Sequence, residues 1–279
     1  MSEPPFVKPS RLGDAPRPCK ICHGATERFD VVDFAKTCSV PDVYPRGLRG
    51  IPVYYCRCRA CSFIFTDQFD DLAPEQWAEW VYNDEYDAVD PDYRHNRPRA
   101  NARLIERFLL GRKHSTVGLD FGGGSGLTAE LLARRGWQFD CYDPFGKTRL
   151  TPSRLQRYNV ATAFEVFEHL TDPVTELASL LERMTNGALV ILLGTGLSDG
   201  NVSVDTRLSW WYAAPRNGHI SLFSRKSLAS LAKRFALRHS SALGGLHLLT
   251  RGVAVQPLRI RLFAALCATR LESILSRLR

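Results

Sequence analysis

The stretch Gly118-Leu119-Asp120-Phe121 running straight into Gly122-Gly123-Gly124-Ser125-Gly126 limits what this chain can fold into more than any other. A strand that passes through glycines into a helix must turn sharply. Glycine takes the backbone conformations of such a turn at no steric cost and lets a ligand approach the main chain. Asp120, Gly122, Gly124 and Gly126 complete the pattern Asp-x-Gly-x-Gly-x-Gly. A dinucleotide loop calls for Gly-x-Gly-x-x-Gly, and the sixth position counted from Gly122 is Leu127, so that pattern fails. The next strand ends in Tyr142-Asp143-Pro144, where a carboxylate can accept bonds from both hydroxyls of a ribose. A nucleoside-bearing ligand is the expectation.

Around this loop, strand-like and helix-like pieces alternate, the pattern of a sheet covered on both faces. Strands are predicted at Thr116–Phe121, Gln138–Tyr142, Asn159–Phe164, Ala188–Leu193, Leu237–Ser241 and His247–Arg251. Helices are predicted at Pro98–Leu110, Leu127–Arg135, Pro173–Met184 and Lys226–Phe235. There is no internal repeat. The expected organisation is a loose tail (1–18), a Cys-bearing module (19–70), an aromatic linker (71–96), an α/β domain (97–252) and a C-terminal amphipathic helix (253–279).

From Arg97 to Gly252 these residues resemble the class I S-adenosylmethionine-dependent methyltransferases. The resemblance implies a doubly wound, mostly parallel seven-stranded α/β sheet whose last strand is antiparallel, with the cofactor across the carboxyl ends of the first strands. It further implies that Asp120, Gly122, Gly124 and Gly126 form the cofactor loop, that Asp143 takes the ribose hydroxyls, and that Phe164 with Glu165 closes the site. Only about sixteen residues, Pro144 to Asn159, lie between the second strand and the next clear one, too few for the helix, strand and helix expected there. The third strand is therefore expected to be lost or vestigial, which would leave six.

After the strand ending at Phe164 comes Glu165-Val166-Phe167-Glu168-His169, which is expected to place three ligand-capable side chains on one helical turn. The same pattern resembles that of ubiquinone-pathway O-methyltransferases and small-RNA 2′-O-methyltransferases, in which it holds a divalent ion. By that resemblance magnesium or manganese would bind Glu165, Glu168, His169 and, later in the chain, His219. The metal-free alternative makes His169 the base and the glutamates pocket residues. Trp210, Trp211 and Tyr212 either form a substrate platform or pack their loop down.

Cys19-Lys20-Ile21-Cys22 and Cys58-Arg59-Ala60-Cys61 form two Cys-x-x-Cys pairs, and four such thiolates can surround one structural zinc. Cys56 and His23 stand in reserve. This order resembles the zinc-binding module that precedes some sugar-modifying methyltransferases. A redox pair would need a thioredoxin-like context, which is missing.

The sequence has 37 Lys and Arg against 29 Asp and Glu, a formal charge of +8, scattered without a concentrated basic stripe. Nucleic acid is therefore the minor reading of its partners, and a small-molecule or glycan hydroxyl the major one. The two alternatives to that enzyme are an RNA 2′-O-methyltransferase and a non-catalytic binding protein that keeps the cofactor fold. The N-terminal residues lack a signal pattern and the longest aliphatic stretch, Ala188–Leu193, is too short to span a bilayer, so a cytoplasmic location is expected. After Pro257, Leu and Ile recur at helical spacing with Arg between them. Such a helix packs on its own domain or contacts an anionic membrane.

Overall fold

The computed structural model describes residues 4–5, 17–144 and 157–277. Along the chain these form β1 (Thr26–Asp33), β2 (Pro52–Cys58), β3 (Ile64–Phe65), α1 (Pro74–Trp80), α2 (Tyr86–Val89), α3 (Asn96–Phe108), β4 (Val117–Phe121) and α4 (Leu127–Arg134). There follow β5 (Gln138–Tyr142), β6 (Val160–Phe164), α5 (Pro173–Arg183), β7 (Leu189–Gly194), β8 (Ser221–Leu222), α6 (Arg225–Arg234), β9 (Arg238–Ser241), β10 (Leu246–Arg251) and α7 (Val255–Arg277). Each element expected from the α/β domain onward is present, displaced by two residues at most. The segment in which the third strand was expected to be lost, and most of the N-terminal tail, lie outside the described residues.

Two compact units divide the chain. The sheet unit comprises 92–166, 177–195 and 232–279. Its sheet, among the described residues, has six strands in the order β5-β4-β6-β7-β10-β9. Neighbours β5, β4, β6 and β7 are parallel, and β10 runs antiparallel to both β7 and β9. β7 is buried at every residue, as a central strand covered on both faces requires. Helices α3, α4 and α7 contribute Ile105, Phe108, Leu132, Leu258 and Leu262 to one core with Phe139, Leu192 and Leu248 of the sheet. The register pairs Asp120 with Cys141 and with Thr162, so β4, β5 and β6 deliver their carboxyl ends to one edge.

The second unit comprises 1–91, 167–176 and 196–231. Its antiparallel sheet has the order β1-β2-β3-β8, so the Cys-bearing segment is completed by Ser221 and Leu222 from far along the chain. Phe34, Tyr55, Phe69, Trp77, Leu208, Trp210, Tyr212 and Leu222 share its core. Of the three loop aromatics, Trp210 and Tyr212 thus pack down, while Trp211 is 43% exposed. The aromatic linker after Leu72 forms two short helices, with Trp77 and Tyr86 turned inward.

Candidate functional site

In the glycine loop three residues take left-handed conformations, Gly122 (φ +70), Gly124 (φ +56) and Gly126 (φ +80), which explains why glycine stands at each. Gly122 donates its N–H to the carbonyl of Tyr142 at 2.7 Å, and Gly124 donates to Asp143 Oδ2 at 2.8 Å. The end of β5 and the loop are thereby tied together. A Cβ on Gly123 would lie 2.5 Å from Asp120 Oδ2, and one on Gly124 would lie 3.1 Å from the Tyr93 hydroxyl. The loop therefore rests directly on the Asp120 carboxylate. Asp120 is buried, and the Thr162 hydroxyl donates to it at 2.7 Å. Burial pushes its pKa up to about 6; the charge of Asp143 adds to the rise, while hydroxyl hydrogen bonds from Thr162 and Thr128 oppose it.

At the end of β6, Phe164 is half-buried and its ring fills the space beside Gly194. Glu165 follows with φ +53, an uncommon conformation for a side chain this long, and donates its N–H to the Gly194 carbonyl at 2.9 Å. Glu165, Glu168 and His169 consequently do not lie on one regular helical turn: only Phe167–His169 is helical, as a 3₁₀ turn.

In the second unit, Glu168, His169 and His219 offer ligand atoms that all lie within 4.8 Å of one another. Glu165 is not one of this group and belongs to the sheet unit. Glu168 is fully buried and accepts the Tyr212 hydroxyl at 2.5 Å. The Tyr82 hydroxyl lies 3.2 Å from His169 Nδ1. His219 Nδ1 lies 2.8 Å from the Tyr212 carbonyl, an acceptor only, so Nδ1 carries a proton. The His219 carbonyl in turn accepts the Tyr55 hydroxyl at 2.7 Å. Gly218 has φ +88, and a Cβ there would stand 2.7 Å from His169 Nδ1. Tyr55, Tyr82 and Tyr212 hold these groups, and nothing in the sequence ties them to Glu168 or the histidines; the one local hint is Gly218 directly before His219.

The four cysteines Cys19, Cys22, Cys58 and Cys61 also cluster, with sulfurs within 4.8 Å of one another. Their two turns repeat one geometry. Cys19 and Cys58 donate their N–H to the carbonyls of Gly24 and Phe63, and His23 and Ser62 donate back to Cys19 and Cys58. His23 and Ser62 both take left-handed conformations, φ +57 and +59. His23 is thus a turn residue, and neither it nor Cys56 belongs to the cluster. Cys19 and Cys61 sulfurs stand 3.6 Å apart, Cys22 and Cys58 3.5 Å. Four sulfurs around one zinc at about 2.3 Å would stand roughly 3.8 Å apart, so the donor set fits a closed tetrahedral ion. The Cys61 thiol holds Cys19 down to about 5 and is itself pushed up.

A doubly wound sheet with a glycine loop after its first strand and a carboxylate after the second describes a nucleoside-cofactor enzyme. In sequence the chain matches the family described as methyltransferase domain over residues 93–239, more than half its length. It belongs to that family and is an S-adenosylmethionine-dependent methyltransferase. No curated protein matches it in sequence.

Among solved structures similar to it is a methyltransferase from Thermotoga maritima described as a possible histamine N-methyltransferase. The likeness has 12% identity and TM-score 0.39, covering 62% of this chain and 96% of that one. The plantazolicin methyltransferase in complex with a pentazolic desmethyl analogue and S-adenosylhomocysteine shows 15% identity and TM-score 0.43, covering 73% and 87%. The magnesium protoporphyrin IX methyltransferase from Synechocystis PCC 6803 shows 12% and 0.35, covering 66% and 92%.

Proposed function

We propose that this methyltransferase alkylates a hydroxyl of a small molecule or sugar, with His169 as the proton acceptor. The observation that carries this reading is the built surroundings of His169: a tyrosine at its Nδ1, a left-handed glycine beside its ring and a buried glutamate preceding it. S-adenosylmethionine, when bound, supplies a methyl group already activated by its positive sulfur. Asp120, Gly122, Gly124 and Gly126 would shape its binding loop, Asp143 would accept from the ribose, and Phe164 and Glu165 would flank it. The bond from the Gly124 amide to Asp143 supports this reading, because it sets a carboxylate acceptor beside the loop. With Nδ1–H donating to the Tyr82 oxygen, His169 presents the Nε2 lone pair and takes the acceptor's proton as its oxygen gains the methyl group. Tyr212 holds Glu168, and the same residue's carbonyl orients His219.

A second reading has an observation of its own, the convergence of Glu168, His169 and His219. Two imidazoles and one carboxylate suit manganese, iron or zinc better than magnesium, which favours an all-oxygen shell. The Nδ1–H···O=C bond of His219 leaves Nε2 as its ligand atom, the arrangement that outer-sphere partners give metal-binding histidines. We assign the Cys19, Cys22, Cys58 and Cys61 cluster to structural zinc.

The test uses cofactor labelled in its methyl group and a lysate fractionated by chemical class. Label should enter a small-molecule or glycan fraction with the wild type and fall at least a hundredfold with His169→Ala, whose affinity for S-adenosylhomocysteine should stay within a few-fold. Label entering RNA instead would overturn the acceptor class, and unchanged transfer by His169→Ala would overturn the role of His169.

A further inference from the structure

Helix α7 presents two apolar faces, and among the described residues only one is packed into the core. Leu258, Leu262 and Ala265 are buried in the core. On the outward side Ile260, Phe263, Ala264 and Cys267 recur at helical spacing and are all exposed, Ile260 to 68% and Phe263 to 54%. Two large apolar side chains about one turn apart, flanked by Ala264 and Cys267 on the same side, form a contact surface rather than the scattered single exposures normal to a monomer.

Its surroundings are basic. Helix α3 packs along α7: Arg107 donates to the Thr269 hydroxyl at 2.7 Å and Arg261 to the carbonyls of Phe108 and Leu110. In sequence the two helices contain eight arginines and two glutamates, most of the excess charge of a chain whose net is +8. Arg99, Arg103, Arg259 and Arg270 are exposed, and Leu110, two residues beyond α3, is 73% exposed. No helix among the described residues is long and apolar enough to cross a membrane.

We infer that the α3–α7 face of the sheet unit docks on an anionic phospholipid surface, with Ile260 and Phe263 entering the headgroup boundary and the arginines engaging lipid phosphates. Charge selects this occupant. A second copy would bring the same arginines against themselves, whereas an anionic bilayer offers negative charge and an apolar layer together. A nucleic-acid backbone would match the arginines and leave Ile260 and Phe263 without partners.

The test is vesicle co-sedimentation of the full chain. Binding to phosphatidylcholine vesicles with about a third phosphatidylglycerol should be at least tenfold tighter than to pure phosphatidylcholine, and should weaken at least tenfold in half-molar salt. Ile260→Ser with Phe263→Ser, and separately Arg259→Glu with Arg270→Glu, should each reduce it at least tenfold while leaving S-adenosylhomocysteine affinity and circular dichroism unchanged. Equal binding to both vesicle types, or double variants that bind as the wild type does, would overturn the inference. So would a wild-type dimer in sedimentation velocity that the Ile260→Ser/Phe263→Ser variant dissociates, since the stripe would then be a subunit interface.

Discussion

Asp120 beneath the glycine loop gives a stability signature that can be worked out in advance. Its folded pKa of about 6 stands above the 3.8 of an unperturbed aspartate, because burial disfavours the charged form. As pH rises from 4 the unfolded chain releases this proton first, so between pH 4 and 6 the folded state binds the additional proton and stability falls. The folded carboxyl is half ionised at pH 6, and the loss is complete about one to two pH units higher. At about 1.4 kcal/mol per pK unit the whole effect is about 3 kcal/mol, of which roughly 1.4 kcal/mol falls between pH 5 and 8. Asp120→Asn keeps the shape and removes the charge, and the Thr162 and Thr128 hydroxyls can turn to donate to or accept from the amide. Urea unfolding of both proteins at pH 5, 6, 7 and 8 gives the difference in stability at each pH, in which every other titrating group and any metal release cancel. The variant should gain on the wild type by roughly 1.4 kcal/mol from pH 5 to pH 8. Two curves that stay parallel to within about 0.5 kcal/mol would refute the buried-charge account of this carboxylate.

Three further outcomes are expected. The purified protein should carry about one equivalent of zinc by elemental analysis and lose it in a Cys58→Ser/Cys61→Ser double variant, since a closed thiolate site needs all four ligands. Gly124→Val forces a branched side chain into φ +56 at the loop and Asp143→Ala removes the carboxylate that meets it; each should weaken S-adenosylhomocysteine at least tenfold by calorimetry. Gly218→Ala places a methyl group 2.7 Å from His169 Nδ1 in a strained backbone and should cut methyl transfer at least tenfold with cofactor affinity nearly unchanged.

What could be read from the sequence followed from how each element is buried. β6 and β7 are largely apolar runs, and β4 is apolar but for the buried Asp120, because central strands are covered on both faces, and the helices between them show one apolar stripe each. β1 gave no such signal. Its charged residues Glu27, Arg28, Asp30 and Asp33 follow no period of two, only Phe29 and Val32 are buried, and a register shift falls between Arg28 and Asp30. β8 is two residues long and exists because Ile64 and Phe65 pair with Leu222 and Ser221, which no local pattern announces. The same holds for Tyr55, Tyr82 and Tyr212, whose hydroxyls reach residues distant in sequence. Glu-x-x-Glu-His read as one helical turn, but the left-handed backbone at Glu165 interrupts it, leaving Glu168 and His169 to group with His219 alone.

Within the second unit, the cysteine cluster and the histidine group share supports, and this decides how chelation must be read. Cys58 ends the strand β2 whose Tyr55 holds the His219 carbonyl, and Ser224, just beyond β8, donates to the Cys61 carbonyl at 2.8 Å. Loss of an ion from the four sulfurs would loosen both attachments of the segment carrying His219 without any metal at Glu168. A fall in methyl transfer on adding chelator therefore has two origins, distinguished by time course. If the cysteine site is responsible, activity should decay in step with the appearance of reactive thiols, and adding manganese without zinc should restore neither. If an ion sits on Glu168, His169 and His219, activity should fall before any thiol reacts and return on adding manganese alone. Full activity persisting after all four thiols have become reactive would show that the supports run through β2 and Ser224 too weakly to matter, and would refute the coupling.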